Sequence, residues 1–427
     1  MSAAVSAAAD VRAPALAAPK VVISNGLNRF HLAVAAAEVA RSERLALMLT
    51  GAYPTRRVAW LLAALGLGRQ PRLARLIDRR QDLPESLVEP LWWPELLGQL
   101  GSIARSRRAG RLAELLDDAA LRTFARGAAR RLGQVPADAG IYHYRSGFGL
   151  ASVPQVKKLG LVALCDHSIV HPQSLGRLLG KPSTQLTRPW KTVLRDLEHA
   201  DHVLVNSDFV KSTFLEHGWE PARVDVIYLG VDDAFLAAVP ERRAEPDDGG
   251  TLRLLFAGSF EPRKGVDALV AALSRLHDIP WRLEIAGALV PESRKAHRRF
   301  LEDRRVSLLG TLPRERLAEV MAASDVFVFP TLAEGSARVV FEALASGVYV
   351  VTTPNAGSIV EDGVHGALVP PHTPEALADA LRHAATDRSA LHAIGCENAA
   401  LVQSSYRQRD YGQALLELYS RLETSNV

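Results

Sequence analysis

The stretch that decides the fold is Glu334-Gly335-Ser336-Ala337-Arg338-Val339-Val340-Phe341-Glu342-Ala343-Leu344-Ala345-Ser346-Gly347. It follows the apolar segment Val326–Phe329, whose length and composition predict a buried strand. A strand, a glycine turn and a helix in succession form the repeating unit of a parallel α/β domain. Gly335 and Ser336 are predicted to open the helix, where free backbone N–H groups bind phosphate oxygens.

Glu334 and Glu342 are the two carboxylates of this stretch, and we expect both to bind one ligand. A regular helix would separate them by about 12 Å, whereas the carboxyl pair of a glycoside hydrolase lies within about 5–10 Å. The spacing therefore argues against hydrolytic acid–base catalysis. It suits an elongated ligand, with Glu334 at sugar hydroxyls and Glu342 at a ribose diol. The diphosphate would lie between them, next to Gly335, Ser336 and Ala337. The alternative is a glutamate beside the helix dipole and a second one on the helix surface.

A second cluster of charged residues follows the strand predicted at Leu252–Ala257. Gly258 lets the backbone turn after this strand and is a predicted donor contact. Arg263 and Lys264 precede a helix that Gly265 opens. Cations on this loop would stabilise the negative charge that develops on a departing diphosphate. Arg263 and Lys264 are therefore predicted to be catalytic. The alternative is a pair of solvated loop cations.

Apolar segments of strand length recur on both sides of a polar stretch at 241–250. Helical patterns separate them, and residues 55–135 form a long helical region rich in Arg, Leu and Ala. We therefore predict an α/β fold of two Rossmann-like doubly wound domains that face each other across a cleft, where open sheets of this kind bind ligands. The predicted strands are Lys20–Ser24, Gly140–Tyr144, Leu161–Cys165, His202–Asn206, Leu252–Ala257, Arg282–Ala286, Val306–Leu309, Val326–Phe329 and Val348–Thr352.

The net charge of +4 hides an asymmetry between the two halves of the chain. Residues 1–200 hold 28 Lys and Arg against 15 Asp and Glu, a balance of +13, and residues 201–427 have a balance of −9. Such a field favours an anionic membrane surface or a phosphorylated acceptor as a partner. No nucleic-acid-binding module accompanies it, so nucleic acid is not expected. The alternative is a solvated surface rich in arginine, with clusters at Arg105, Arg107, Arg108, Arg111, Arg126, Arg130 and Arg131.

Cysteine content and hydropathy bear on the compartment. Cys165 and Cys396 are the only cysteines, which excludes a disulfide framework and a Cys-rich zinc site. Residues 1–19 lack the basic start of a signal peptide, and no run of 18 apolar residues occurs. We therefore expect a cytoplasmic protein, with the inner membrane face as a candidate peripheral location.

Together these motifs resemble the family 4 retaining glycosyltransferases (glycosyl transferases group 1), which have the GT-B fold. The match is good over about residues 195–420 and is architectural in the first half. It rests on the Arg263-Lys264 loop, the Glu-x7-Glu pair, the glycines Gly357, Gly363 and Gly366, and the segments 200–207 and 230–232.

The resemblance implies a UDP- or GDP-sugar donor, a hydroxyl acceptor such as a glycan, a lipid or a small molecule, retention of anomeric configuration, and no cofactor or required metal. It also implies that Arg263 and Lys264 bind the donor diphosphate, Glu334 the sugar and Glu342 the ribose. Many members have Phe-Gly-Leu where this chain has residues 336–338, so the identity of the donor sugar stays open.

The resemblance also gives a domain plan. We expect residues 1–19 to be a disordered Ala-rich N-terminus, 20–240 the acceptor-binding domain, 241–250 a linker, 251–405 the nucleotide-sugar-binding domain, and 406–427 a helix that crosses back to the first domain.

Five residues of the first domain are candidates for its half of the site. His167, after the strand that ends at Cys165, is predicted to orient an acceptor hydroxyl or to contact the transferred sugar. Asp166, His143 and Arg145, at the ends of neighbouring strands, are predicted acceptor contacts. Gly26, on the first turn, is predicted to approach the donor. A hydrogen-bonded loop histidine and a structural turn glycine are the alternatives.

Two other classes of protein remain open. One is a sugar-nucleotide epimerase or phosphorylase on the same fold, and the other is a non-catalytic nucleotide- or sugar-binding protein. A Gly-x-Gly-x-x-Gly motif follows neither domain's first strand, which argues against an NAD-dependent oxidoreductase.

Overall fold

The structure, a computed structural model, describes residues 19–28, 30–65, 76–77, 79–107, 109–180, 186–241 and 250–424. The N-terminus expected to be disordered, apart from Pro19, lies outside the described residues. So do the linker expected at 241–250, apart from its two end residues, and Arg108 of the basic cluster.

The first domain is built on a parallel sheet. Its strands are β1 Lys20–Gly26, β2 Leu45–Thr50, β3 Val88–Pro90, β4 Ala139–Arg145, β5 Val162–Asp166, β6 His202–Val205 and β7 Val224–Val226. Within the described residues the strand order is β3-β2-β1-β4-β5-β6-β7. Val21, Val22 and Ile23 of β1 are fully buried, because helices cover a parallel sheet on both faces.

The second domain repeats this plan. Its strands are β8 Leu252–Ala257, β9 Trp281–Ala286, β10 Val306–Gly310, β11 Val326–Phe329, β12 Tyr349–Thr352 and β13 Gly366–Leu368, in the order β10-β9-β8-β11-β12-β13. In both parallel sheets the strand order reverses beside the first strand, between β1 and β4 in one sheet and between β8 and β11 in the other. The predicted pair of doubly wound Rossmann-like domains is confirmed, and each has a switch point of the kind that binds ligands.

Helices connect the strands in both domains. In chain order they are α1 Leu32–Arg41, α2 Arg56–Ala64, α3 Trp92–Ser106, α4 Gly110–Leu132, α5 Val153–Lys158, α6 Pro172–Leu178, α7 Arg188–His199, α8 Asp208–Leu215, α9 Asp233–Ala238, α10 Val266–Leu273, α11 Pro291–Ala296, α12 Arg298–Leu301, α13 Arg314–Ala322, α14 Arg338–Ala345, α15 Pro374–Thr386, α16 Arg388–Ser405 and α17 Gln408–Thr424.

The last helix, α17, packs on the first domain. Leu415, Leu418 and Tyr419 of α17 are buried in one cluster with Ile23 of β1 and Leu32 of α1. Burying each such leucine stabilises the contact by about 1.5–3 kcal/mol. The chain therefore returns to its first domain after completing the second.

The structure corrects several predicted elements. Strands β2, β3, β7 and β13 were not predicted, because the Leu- and Ala-rich β2 favours a helix by composition and the other three are too short to show a period. Residues 55–135 are consequently not all helical, since β3 interrupts them. The helix predicted to open at Gly335 and Ser336 begins at Arg338.

The late helix start has a hydrogen-bonding cause. Glu334 N donates to Asn355 O at 3.0 Å, and Ala337 N donates to Ala356 O at 2.9 Å. These bonds hold the segment before α14 in an irregular conformation against the loop after β12.

Candidate active site

A cavity of about 480 Å³ opens at the carboxyl ends of β8, β9 and β11 in the second domain. This is the switch point of the second sheet, where doubly wound folds bind nucleotides. Its wall is made of strand ends, the loop after β8 and the start of α14: Gly258, Gly287, Phe329, Arg263, Lys264, Glu334, Ser336, Ala337, Arg338 and Val339 are among its residues.

Arg263, Lys264 and Glu334 form one ion-pair cluster in this wall. Lys264 Nζ donates to Glu334 Oε1 at 2.6 Å, and Arg263 Nη1 donates to the same oxygen at 2.8 Å. The side chains of Glu334 and Lys264 are only 13% and 16% exposed, so water screens their charges less than at a surface. Arg263 Nη2 also lies 3.2 Å from Glu261 Oε1, so two carboxylates balance the two cations, and an anionic ligand would replace carboxylate contacts that these cations make here.

Backbone contacts fix the two cations. Leu332 N donates to Arg263 O at 2.8 Å, and Thr331 Oγ1 lies 3.0 Å from the same oxygen. Gly265 follows with a φ of 73°, and a Cβ at this position would lie 1.7 Å from Pro330 O. Only glycine fits there. The loop after β8 and the loop after β11 are therefore held together next to the cavity.

Gly258, predicted at the donor site, lies in the cavity wall. Its φ is 139°, and that of Gly287 is 146°. A Cβ on Gly287 would lie 2.0 Å from Gly258 O. The ends of β8 and β9 approach this closely because Gly287 has no side chain, and the backbone of both glycines borders the cavity.

Gly335 lies at the contact between the two domains. Its carbonyl oxygen accepts a hydrogen bond of 2.5 Å from Ser207 Oγ. A Cβ on Gly335 would lie 1.9 Å from Ser168 O, and a Cβ on Gly357 would lie 2.2 Å from Gly335 O. The two glycines thus allow the domains to meet at this point. Ser168 directly follows His167, so the contact joins the two predicted halves of the site.

Glu342, the fourth predicted donor anchor, has other partners. Its Oε1 lies 3.0 Å from Arg314 Nη2, and the same guanidinium lies 2.5 Å from Asp232 Oδ2. Burial raises the pKa of Glu342, and Arg314 opposes this effect. Glu342 is not among the described residues of the cavity wall. The structure therefore brings Arg263, Lys264 and Glu334 together and keeps Glu342 in a separate pair.

In the first domain, two histidines hold Asp166. His31 Nε2 lies 2.8 Å and His143 Nε2 3.4 Å from Asp166 Oδ2. Burial disfavours the charge of Asp166, but the two histidines more than offset it, and its pKa lies well below the usual range. His143 Nδ1 is 2.7 Å from Tyr419 Oη of α17. Asp166 and His143 are 2% and 0% exposed, so neither offers its side chain to an acceptor in this arrangement.

His167 is buried and uncharged. Its Nε2 lies 3.3 Å from Val170 O and its Nδ1 lies 2.8 Å from Ser146 Oγ. A carbonyl only accepts, so the ring proton is on Nε2 and Nδ1 accepts from the Ser146 hydroxyl. Burial lowers the pKa of His167 to about 4. At neutral pH the ring is a polar neutral group.

A second cavity, of about 420 Å³, lies in the first domain and is bordered by α3, α4 and α7. Arg145 is in its wall, where Nη1 donates to Leu27 O at 2.8 Å and the guanidinium lies 4.1 Å from the ring centre of Phe30. Burial lowers the pKa of Arg145 to about 10, which leaves it charged at neutral pH. Gly26 has a φ of 75° and packs on Phe148, whose ring a Cβ would approach to 2.7 Å.

Three functional contacts were not assigned from the sequence. His31 could have been singled out by its position directly before α1, because a helix that follows a parallel strand begins at the carboxyl edge of the sheet, where ligands bind. Ser207 is the last residue of the segment 200–207, which supports the family resemblance, but the sequence assigns it no role. Arg314 showed no local signal, because only the packing of α13 beside α14 brings it to Glu342.

The described residues contain no group of three His, Cys, Asp or Glu side chains arranged to hold a metal ion. No helix in the described part of the chain has the length and apolar character needed to cross a bilayer.

Comparison with known proteins gives matches in both domains. Residues 101–235 match the model for Glycosyltransferase Family 4, and residues 251–387 match the model for Glycosyl transferases group 1. The chain is 30% identical over 280 residues to the D-inositol 3-phosphate glycosyltransferase of Kineococcus radiotolerans, covering 58% of this chain and 61% of the relative. The corresponding enzyme of Kribbella flavida is 30% identical over 257 residues, covering 56% and 57%. The chain thus spans about three fifths of the length of these curated relatives.

Solved structures share the fold over nearly the whole chain. Anabaena Alr3699/HepE, solved in complex with UDP and glucose, superposes with a TM-score of 0.61 at 18% identity, covering 94% of this chain and 100% of that one. Sucrose-phosphate synthase from Thermosynechococcus elongatus superposes with a TM-score of 0.66 at 18% identity, covering 95% and 100%. A match to Glycosyltransferase Family 4 in the first domain is thus followed by a match to Glycosyl transferases group 1 in the second, and the chain has the GT-B fold of these solved structures.

Proposed function

We propose that this protein is a retaining glycosyltransferase that moves a sugar from a UDP- or GDP-sugar to a hydroxyl acceptor in the synthesis of a glycan, glycolipid or glycoconjugate. One observation carries the proposal. Arg263 and Lys264 both donate to Glu334 Oε1 at the switch point of the second sheet, although Glu334 lies about seventy residues later in the sequence.

The cluster suits a sugar diphosphate. Arg263 and Lys264 bind the diphosphate. Its negative charge takes the place of the Glu334 carboxylate as a partner of these two cations. Glu334 is then available to accept hydrogen bonds from sugar hydroxyls. As the anomeric carbon–oxygen bond breaks, charge develops on the leaving oxygen, and the two fixed cations stabilise it. Glu342 binds the ribose diol.

In the proposed reaction, the acceptor hydroxyl attacks the anomeric carbon from the face that the diphosphate leaves. The glycosidic bond forms, the bond to the diphosphate breaks, and the departing diphosphate oxygen takes the acceptor proton. No protein carboxylate serves as a nucleophile and no metal ion is needed. The proposal assigns the charge stabilisation to Arg263, Lys264 and the start of α14.

The acceptor side is assigned to the first-domain cavity. Arg145 provides a half-buried cation there, and neutral His167 lies beside Ser146 of the same wall. A cation in this position favours an acceptor that carries a phosphate group. The curated relatives are named as glycosyltransferases for D-inositol 3-phosphate, so a phosphorylated polyol is the first acceptor to test.

The basic first half gives an expected location. Its balance of +13 attracts anionic surfaces, so we propose a cytoplasmic protein that works near the anionic inner face of the membrane.

Isothermal titration of the full chain with UDP, GDP and ADP tests the donor site directly. We expect UDP or GDP to bind the wild type and to bind Arg263→Ala at least about tenfold more weakly. HepE was solved with UDP-glucose, so this sugar is the first donor to test. If none of the three nucleotides binds, the proposal is wrong.

Turnover then separates the enzyme classes. A transferase consumes the nucleotide sugar quickly only with acceptor present, and the NMR coupling of the product's anomeric proton should show the configuration of the donor. An epimerase would convert the sugar without any acceptor, and a binding protein would leave it unchanged. Turnover that persists in excess chelator supports the metal-free assignment, whereas turnover lost and restored by a divalent cation overturns it.

A further inference from the structure

Helix α2 buries no apolar face against the described part of the chain. Of its side chains that the structure describes, all but Ala59 are exposed. Trp60 is 71% and Leu61 51% exposed, and Leu65, just after the helix, is 62% exposed. A helix of a globular domain normally buries one apolar stripe against the core. The exposed apolar side chains of α2 therefore form a surface that no described part of the chain covers.

Helix α3 carries a second apolar surface. Trp93, Leu96, Leu100 and Ile103 are 75%, 52%, 51% and 41% exposed. Their spacing of three, four and three residues aligns them in one stripe along the helix. We call α2 together with this stripe the apolar face.

Both parts of the apolar face leave from the same edge of the first sheet. Strands β2 and β3 pair in parallel, with Thr50 opposite Pro90. Helix α2 follows the carboxyl end of β2, and α3 follows that of β3. Helix α3 also contributes Gly98, Ser102 and Arg105 to the wall of the first-domain cavity. The apolar face therefore lies on an element that also borders the proposed acceptor site.

Exposed arginines flank the apolar face. Arg56 and Arg57 form the first turn of α2, Arg105 and Arg107 lie at the end of α3, and Arg111 begins α4. Tryptophan with flanking arginine is the composition of helices that lie in the interface of a membrane. At about 14 Å long, α2 is too short to cross a bilayer and long enough to lie in one leaflet.

We propose that the apolar face is a membrane-docking surface, which inserts Trp60 and Trp93 at the boundary between headgroups and acyl chains of an anionic bilayer. The exposed apolar side chains of α2 lie on several sides of the helix. A protein partner covers one stripe of a helix, whereas lipid can contact all of these side chains, so we assign the surface to a bilayer. Of the flanking arginines, Arg105 pairs with Asp117, and the others are assigned to anionic headgroups. Docking would bring the first-domain cavity to the lipid surface. The inference deepens the membrane location proposed above and does not depend on the proposed sugar transfer.

Cosedimentation of the full chain with vesicles tests the proposal. The vesicles are phosphatidylcholine alone or with one third phosphatidylglycerol, at low and at high salt. The wild type should pellet with the anionic vesicles, and Trp60→Glu and Trp93→Glu should each bind about tenfold or more weakly, because each loses the burial of a large apolar side chain. Arg56→Gln with Arg57→Gln should weaken binding to the anionic vesicles and reduce its salt dependence.

Val364→Glu is the matched control, because Val364 is a 50% exposed apolar residue in the second domain. It should bind vesicles like the wild type. UDP or GDP titration and the thermal midpoint of each variant report the fold and the donor site independently of lipid. A wild type that binds nucleotide but stays in the supernatant overturns the docking proposal and the proposed membrane location, and leaves the proposed sugar transfer intact. The proposal is also wrong if Trp60→Glu and Trp93→Glu both bind vesicles as well as the wild type does. A wild type that is a dimer in solution and becomes a monomer in Trp93→Glu would show that a second copy covers the apolar face instead.

Discussion

The ammonium group of Lys264 lies 2.6 Å from Glu334 Oε1, an oxygen that also accepts from Arg263. The residue that the sequence assigns to the diphosphate is thus neutralised by the residue assigned to the sugar. Binding of a sugar diphosphate has to exchange one anion for another in this cluster. The first two predictions depend on that exchange.

Lys264→Ala should reduce turnover by about 10²–10³, because the ammonium stabilises charge that appears on the leaving diphosphate in the transition state. The measurement is the initial rate of nucleoside diphosphate release at saturating donor and acceptor. Lys295→Ala is the control, since Lys295 is an exposed cation of the same domain, and it should be neutral. Near-normal turnover of Lys264→Ala would remove Lys264 from the mechanism.

Glu334→Gln should separate nucleotide binding from transfer. Removing the carboxylate takes away the acidic partner of Lys264 and leaves Arg263 paired with Glu261 alone, so affinity for UDP or GDP alone should stay the same or rise by up to about tenfold. Transfer should fall by about 10², because the sugar loses a charged hydrogen-bond acceptor. Calorimetry and steady-state rates measure the two effects. A loss of nucleotide affinity as large as the loss of turnover would contradict the proposed exchange.

Glu342→Gln tests the ribose assignment. Hydrogen bonds to a charged group contribute about 1.5–3 kcal/mol, so we expect UDP or GDP affinity to fall by about 10- to 100-fold. Arg314→Ala is the comparison, because it removes the partner of Glu342 without removing the carboxylate. If both variants lose stability equally and neither loses nucleotide affinity, Glu342 has a structural role only.

Gly335→Ala should impair transfer while nucleotide binding to the second domain remains. Its Cβ would lie 1.9 Å from Ser168 O, so the two domains could not meet as they do here. Turnover should fall by about 10² or more, because the reacting groups would be misplaced. Gly110→Ala is the control, since a Cβ there meets nothing within 4 Å. X-ray scattering in solution should show a more open Gly335→Ala protein; unchanged scattering and turnover would contradict the contact's role.

Asp196→Asn should change how stability depends on pH. Burial raises the pKa of Asp196 to about 7, although the N–H groups of Gly149 and Gly147 oppose the shift. In the unfolded chain this carboxyl loses its proton near pH 4. The native state therefore binds more protons between about pH 4 and 7, and the contribution of Asp196 to stability falls as pH rises through that window.

Urea unfolding at several pH values measures this effect. The stability of Asp196→Asn relative to the wild type should increase from pH 4 to pH 7 and then level off. The increase should not exceed about 4 kcal/mol, at about 1.4 kcal/mol per pH unit. Asp379→Asn, at a carboxylate that is 74% exposed, serves as the control. A difference between Asp196→Asn and the wild type that is the same at every pH would show that Asp196 is already ionised when buried.

Much of this protein follows from local sequence. The repeated succession of apolar strand, glycine turn and helix predicted two doubly wound domains, because buried parallel strands need continuous apolar runs and leave their polar residues at the carboxyl ends. For that reason the residues Arg263, Lys264 and Glu334 could be singled out by position alone.

Tertiary structure decided the rest, since contacts between distant segments have no local signature. Hydrogen bonds to the loop after β12 delay the start of α14 to Arg338, and the Ser207–Gly335 bond between the domains makes Gly335 a contact point. Packing of α13 gives Glu342 its partner Arg314, and α17 brings Tyr419 to His143. The sequence determined which residues carry charge at the sheet edges; only the folded chain determined which charges meet.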